Sequence, residues 1–258
     1  EVALPRQTLC CGRPLYDFGM LNTAKGLLVE IMSALSQDIE NETPIVGLEP
    51  SCVAVFRDEL VNLFPNNEDA KRLQKQVFTL AEFLEKKAPD FEPPAFKAKA
   101  VVHGHCHHKA IMKMDSDEKL LDKMKLDYKM LDSGCCGMAG YFGYEEGSHY
   151  DVGKAAGERV LLPEVRNAGA QTIIIADGFS CREQIEQETE RKGLHIAQVL
   201  QMAIKDEKPD LVYPEKKYVD GAKLKSQVTR NNKKLKLAAV GAGVLIGVLA
   251  VSFFVKRK

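Results

Sequence analysis

The chain has 258 residues, 45% hydrophobic and 28% charged, ordinary for globular protein and enough for one large domain or two small ones. Lysine plus arginine and aspartate plus glutamate each number 36, a formal net charge of zero that speaks against a nucleic-acid-binding surface along the chain. Its seven cysteines (10, 11, 52, 106, 135, 136 and 181), an odd number in a chain too long to need disulfide staples, read as ligands rather than bridges.

In chain order, the first residue is Glu1 rather than Met, so an upstream portion is expected beyond this sequence. "LCCG" (9 to 12) stands just ahead of a helix. "PIVGL" (44 to 48) reads as a strand leading into "EPSC". From 69 to 87, "DAKRLQKQVFTLAEFLEKK" places Leu73, Val77, Leu80, Ala81 and Leu84 on one helical face. "APDFEPPAF" (88 to 96) is a linker. "AKAVVHG" (98 to 104) and "TIIIA" (172 to 176) have the unbroken apolar character of parallel strands buried on both faces. Between them, "GCCG" (134 to 137) precedes a helix that Ser148 caps, Pro163 kinks or restarts and Gly169 ends. At the far end, Leu237 to Val255 is 19 residues without a charge, about 28 Å of helix at ~1.5 Å per residue, and predicts a transmembrane anchor. Eight lysine or arginine residues between 214 and 236 precede that run and three follow it, a bias that expects the globular part on the cytoplasmic side. Gly243 and Gly247 within the run form a GxxxG that could pack a partner helix.

The chain repeats itself. A Cys-Cys-Gly turn, a helix, a short apolar strand and a downstream cysteine occur twice, with Cys52 standing 41 residues after Cys11 and Cys181 standing 45 after Cys136. The fold class expected is α/β: two duplicated units of parallel βα elements, at 1–97 and 98–213, then a basic linker at 214–236 and the anchor at 237–255. In an open parallel sheet the loops leaving the strands' carboxyl ends converge on one edge, so the thiols can meet.

Adjacent cysteines in a strand point to opposite faces; they reach one centre only where the backbone curls. Gly134 and Gly137 permit that curl and free backbone N–H groups to point at sulfur, while a helix start beyond the turn favours thiolate. Several thiolates around one centre describe an iron–sulfur cluster. Cys106, Cys135, Cys136 and Cys181 suffice for one 4Fe-4S cluster. Cys10, Cys11 and Cys52 are the first unit's share, and its counterpart of Cys106 would fall about thirty residues before Cys10, where Cys106 falls before Cys135, outside this sequence. Tetrahedral zinc in one unit, vicinal disulfides and inert buried cysteines are the competing readings. In "HGHCHHK" (103 to 109), His105 or His107 is expected beside the sulfur atoms rather than bonded to metal. Tyr141, Tyr144 and Tyr150 are expected to pack around the site, and Asp58 and Glu59 to form a solvated helix face.

"HCHHKA", "LDSGCCGMAGYFGYE", "HYDVGKAAGERVLLPEVR", "ADGFSCREQI" and "LEPSCVAVFRDEL" resemble the CCG-domain (cysteine-rich) iron–sulfur oxidoreductases over residues 5 to 205. That family takes in the cysteine-rich component of heterodisulfide reductase and the iron–sulfur subunits of glycolate oxidase and anaerobic glycerol-3-phosphate dehydrogenase. The chain looks most like the C-terminal portion of fused FAD-linked oxidases of the D-lactate or D-2-hydroxyacid dehydrogenase type. The resemblance implies one or two clusters, FAD on an upstream domain or partner, a ferredoxin-like domain, and electrons passing towards a membrane acceptor such as quinone. Heterodisulfide reductase relatives carry CxxC where this chain has Glu49 to Cys52 and Gly178 to Cys181, a departure that bears on any five-thiol cluster. Three functions follow as expectations: the electron-transfer module of a flavin-linked 2-hydroxyacid dehydrogenase, thiol–disulfide catalysis of the heterodisulfide-reductase kind, or a metal-stabilised membrane-anchored scaffold.

Overall fold

Ile45–Val46 (β1) and Val77–Phe78 (β2) pair in parallel, and Lys99–His103 (β3), Asp127–Met130 (β4) and Ile173–Ala176 (β5) form a second parallel sheet in the order β4-β3-β5. The structure is a computed structural model that describes residues 2–205, 212–216 and 218–219. It divides into two compact units, Glu1–Glu215 and Lys216–Lys258, and both sheets belong to the former.

Around the first sheet lie α1 (Arg13–Asp17), α2 (Leu21–Ala34), α3 (Ser36–Glu40), α4 (Pro50–Arg57), α5 (Glu59–Leu63), α6 (Glu68–Gln76) and α7 (Leu80–Lys87). Their apolar faces bury Leu28, Ile31, Ile39, Val53, Leu60, Leu73 and Val77 in one cluster. Each such side chain taken from water stabilises the fold by about 1.5–3 kcal/mol before conformational entropy is counted. The continuous helix expected over 69 to 87 is broken in the middle. Val77 and Phe78 leave it to pair with β1, and Thr79 restarts a helix through a reciprocal capping box with Glu82. A β-branched and an aromatic residue ahead of a good cap keep the cost of that break small, and the strand pairing offsets it.

Around the second sheet lie a π-helical turn (His108–Met112), α8 (Asp115–Lys123), a 3₁₀ turn (Phe142–Tyr144), α9 (Ser148–Glu158), α10 (Leu161–Asn167), α11 (Phe179–Glu188) and α12 (Ile196–Ile204). All four residues of β5 are buried, as its unbroken apolar run predicts, and Val101, Leu131, Leu161, Val165, Ile174 and Ile185 share one core. Ser148 is the first residue of α9 without capping it, and Pro163 sits in the first turn of α10, where its missing N–H costs nothing. The strand β4, "DYKM", alternates exposed and half-buried residues at the sheet edge, a pattern too short and too polar to stand out in the sequence.

One expectation is corrected here. The fold class anticipated a C-terminal transmembrane helix, yet no described helix is long and apolar enough to cross a membrane. The longest described, α2, has 14 residues, about 21 Å of rise against a hydrocarbon core of about 30 Å. The apolar run at 237–255 and the basic stretch before it, apart from the few residues named above, lie outside the described residues.

Candidate metal centre

Each strand of the second sheet delivers sulfur from its carboxyl end. From β3 the chain passes through Gly104 and His105 to Cys106; from β4, through Leu131 and Ser133 to Cys135 and Cys136; from β5, through Asp177 and Gly178 to Cys181 in the first turn of α11. Cys52 holds the same place in the first turn of α4 beyond β1, so the two downstream cysteines are equivalent in structure.

The four thiols meet. Cys135 is close enough to Cys106 and Cys136 to be influenced by both, and Cys136 in turn by Cys181. Donated hydrogen bonds from Cys106 and Cys136 hold Cys135 far below the usual thiol range, against the opposing effect of its burial, and the N–H of Gly137 adds to this from 3.3 Å. Cys181 is likewise lowered by Cys136 and, beyond what burial takes back, by His103. Cys106 and Cys136, the donors, are pushed up, first by those bonds and then by burial. Cys136 and Cys181 are buried, and Cys106 and Cys135 partly exposed. A cationic centre at this place would take the remaining protons off and be held by four thiolates.

The curl that brings two neighbouring cysteines to one side is at Gly137, whose φ of +98° disfavours any side chain. A Cβ there would fall 1.8 Å from the carbonyl oxygen of Gly153 in α9. One turn on, a Cβ at Gly157 would lie 2.9 Å from the carbonyl oxygen of Cys136. The GxxxG of "VGKAAGE" is thus a bare helix face against which the cysteine backbone is pressed, and that spacing was the signal in the sequence that could have found it. The helix start expected beyond this turn lies at Ser148.

His105 and His107 each offer a ligand atom within 4.8 Å of the other and of the Cys106 sulfur, so both stand where they could hold a metal directly, and a third histidine was not singled out. Arg13 Nη2 is 2.6 Å from His107 Nε2. A guanidinium only donates, so Nε2 accepts and the ring proton is on Nδ1, which faces the Cys106 sulfur at 3.7 Å. Burial lowers the His107 pKa, in keeping with the neutral ring. His105 packs against Gly178, where a Cβ would be 2.4 Å from its Cδ2 and 3.0 Å from the Cys181 sulfur. His103, the last residue of β3, is buried beside Cys181 with Nδ1 2.6 Å from Ser133 Oγ. Its place at a strand end was the available clue.

In the first unit Cys11 and Cys52 lie 3.0 Å apart, sulfur to sulfur. This contact is the largest cause that lowers Cys11 to about 7, and it raises Cys52. Exposed Cys10 receives the N–H of Gly12 at 3.5 Å, the counterpart of the Gly137 bond. Glu49 joins the units: Oε1 caps α4 at Ser51 N, and Oε2 accepts the N–H of Phe179 at the start of α11 from 2.8 Å. Arg13 also pairs with Glu59, which is therefore no solvated face. Tyr141 stacks on Phe18, and burial raises Tyr144 to about 12 beside Cys136 and Cys181, whereas Tyr150 hydrogen-bonds Glu188 on the surface.

Residues 100–186 match the family model described as "Cysteine-rich domain", CCG. The chain is 26% identical to a subunit of the anaerobic glycerol-3-phosphate dehydrogenase of Escherichia coli (strain K12), over 79% of this chain and 51% of that protein. It is 26% identical to D-2-hydroxyglutarate dehydrogenase of Pseudomonas putida over 73% of this chain and 18% of that one. It is 28% identical to lactate utilization protein A of Bacillus subtilis (strain 168) over 78% of this chain and 86% of the relative. The chain thus spans about half the length of the first of these relatives. No solved structure matches it.

Proposed function

We propose, from the CCG cysteine-rich domain that residues 100–186 form, that this chain is the iron–sulfur electron-transfer part of a flavin-linked dehydrogenase. The observation that carries the reading is the contact of four thiols from three strand ends. Cys106, Cys135, Cys136 and Cys181 would hold one 4Fe-4S cluster, which when bound takes up and passes on single electrons. Cys10, Cys11 and Cys52 would be ligands of a second centre, of iron and sulfide or of zinc.

The protein's own part is to hold and tune. Burial of Cys136 and Cys181 keeps water from one side of the centre, and the partly exposed Cys106 and Cys135 leave the other side open to an electron partner. The N–H of Gly137 and the Nδ1–H of His107 point at sulfur, and hydrogen bonds of this kind raise a cluster's potential. The donor is a flavin-bearing domain or subunit acting on a 2-hydroxyacid of the D-lactate or glycolate type, a reading supported by relatives that are themselves dehydrogenases or dehydrogenase subunits. The acceptor is a membrane quinone, as the family resemblance implies.

Anaerobic reconstitution with iron and sulfide tests this. About four iron and four sulfide per chain, with visible charge-transfer absorption bleached by dithionite, are expected from the second unit alone. Protein that carries zinc only and takes up no sulfide would overturn it.

A further inference from the structure

A second group of metal-binding side chains lies behind the thiols and takes no part in the function proposed above. His108 comes from the π-helical turn after Cys106, Asp117 from the first turn of α8 and Asp177 from the end of β5. One ligand atom of each lies within 4.8 Å of the others. His108 and Asp117 are 1% and 3% exposed, and the Asp177 side chain is 12% exposed. All three border a cavity of about 10 Å³, which His103, His105 and Met114 also line and which has room for one particle the size of a water or an ion.

The polar atoms here are not satisfied by the protein. Among the described residues neither ring nitrogen of His108 has a hydrogen-bond partner, nor does Asp117 Oδ2, although His108 Nε2 stands 3.1 Å from that oxygen. Buried groups left in that state are costly unless something else completes them. Charge is unbalanced as well. Asp177 Oδ1 accepts the N–H of Ile196 at 2.8 Å. His195, 3.7 Å away, accepts the Ala197 N–H at Nδ1 and gives its Nε2 proton to Leu48 O, the pattern of a neutral ring. Arg182 donates from Nη1 to the carbonyls of Ala176 and Asp177. Asp117 and Asp177 thus border the cavity with His108, His103 and His105, and burial pushes the Asp177 carboxyl up.

We propose that His108, Asp117 and Asp177 bind one divalent transition cation, zinc by the donor set. One imidazole and two carboxylates are ligands zinc accepts, and tetrahedral bonds of about 2.1 Å place neighbouring ligand atoms about 3.4 Å apart, a small adjustment from the 3.1 Å between His108 and Asp117. The ion would complete Asp117 Oδ2 and one of the two His108 nitrogens and neutralise both carboxylates. It would also tie the loop bearing Cys106 to the strand end that leads to Cys181. The site does not depend on whether the thiols hold iron, because it uses no sulfur.

The test compares metal content of the full chain, purified anaerobically with zinc supplied, between the wild type and the variants Asp117→Asn and His108→Gln. The wild type should carry about one zinc per chain more than either variant, with iron unchanged. Equal zinc in all three would overturn the site. Should the variants fail to fold, anomalous scattering at the zinc edge from crystals of the wild type decides. A peak among the three side chains supports the proposal, and a water or an empty cavity there overturns it.

Discussion

The two Cys-Cys-Gly turns have the same local sequence logic and different surroundings. In the second unit the pair is met by thiols from two further strand ends and backed by the bare face of α9. In the first unit the pair is met, among the described cysteines, by Cys52 alone, across a sheet of two residues per strand. In each turn a glycine N–H points at the first cysteine's sulfur. That bond is therefore a property of the turn, whereas the mutual influence of the four thiols is a property of the assembled rim. The difference teaches that a Cys-Cys-Gly motif supplies two ligands, and that the strands around it decide how many more arrive.

The strongest way to break this comparison is to remove a buried thiol. Cys136→Ser or Cys181→Ser should cut iron retained after reconstitution to less than about a tenth of that in the wild type, since three thiolates leave one cluster corner without a protein ligand. Cys10→Ser, at an exposed position in the other unit, should leave the second unit's four iron in place. Colorimetric iron and sulfide analysis on the same preparations compares the two arms.

Next in size is the backbone of the second turn. Gly137→Ala meets the Gly153 carbonyl and a φ of +98°, and should cost about 3 kcal/mol or more. Gly134→Ala, at φ +55° with nothing within 4 Å, should cost about 1 kcal/mol. Urea unfolding of the metal-free proteins reads both, and equal costs would show that α9 does not press on the turn.

Glu49 sharpens the comparison from the side of the helices. Its carboxylate serves α4 in one unit and α11 in the other, so Glu49→Ala should destabilise by about 1–2 kcal/mol, with Glu49→Gln intermediate because the amide oxygen satisfies one helix only. Chemical denaturation of the same metal-free proteins orders the three. The smallest effect is a titration. In metal-free protein, thiolate absorbance from Cys11 should rise through a midpoint near about 7: thiolate above it, thiol below. Cys52→Ala takes away the thiol contact that is the largest cause of the lowering, so the midpoint should move up towards 9.0.

Much of this arrangement was legible in the residues. Unbroken apolar runs named β3 and β5, and the doubled spacing from cysteine pair to downstream cysteine announced the duplicated turn. The meeting of Cys106, Cys135, Cys136 and Cys181 followed from one rule about parallel strands. Less visible were β2, hidden inside a helical periodicity, and β4, whose half-polar alternation carries little signal over four residues. The anchor expected from an apolar run has no counterpart among the described helices.

Composition and period alone determined which residues are cysteines, strands and turns, because side-chain chemistry and hydrophobic repeat are local properties of the chain. Tertiary structure alone decided that His103 lies against Cys181, that Arg13 sets the proton of His107, that Glu49 serves two helices, and that His108, Asp117 and Asp177 converge. Those pairings join residues up to 130 positions apart, and their free energy exists only once the sheet has brought the ends of its strands together.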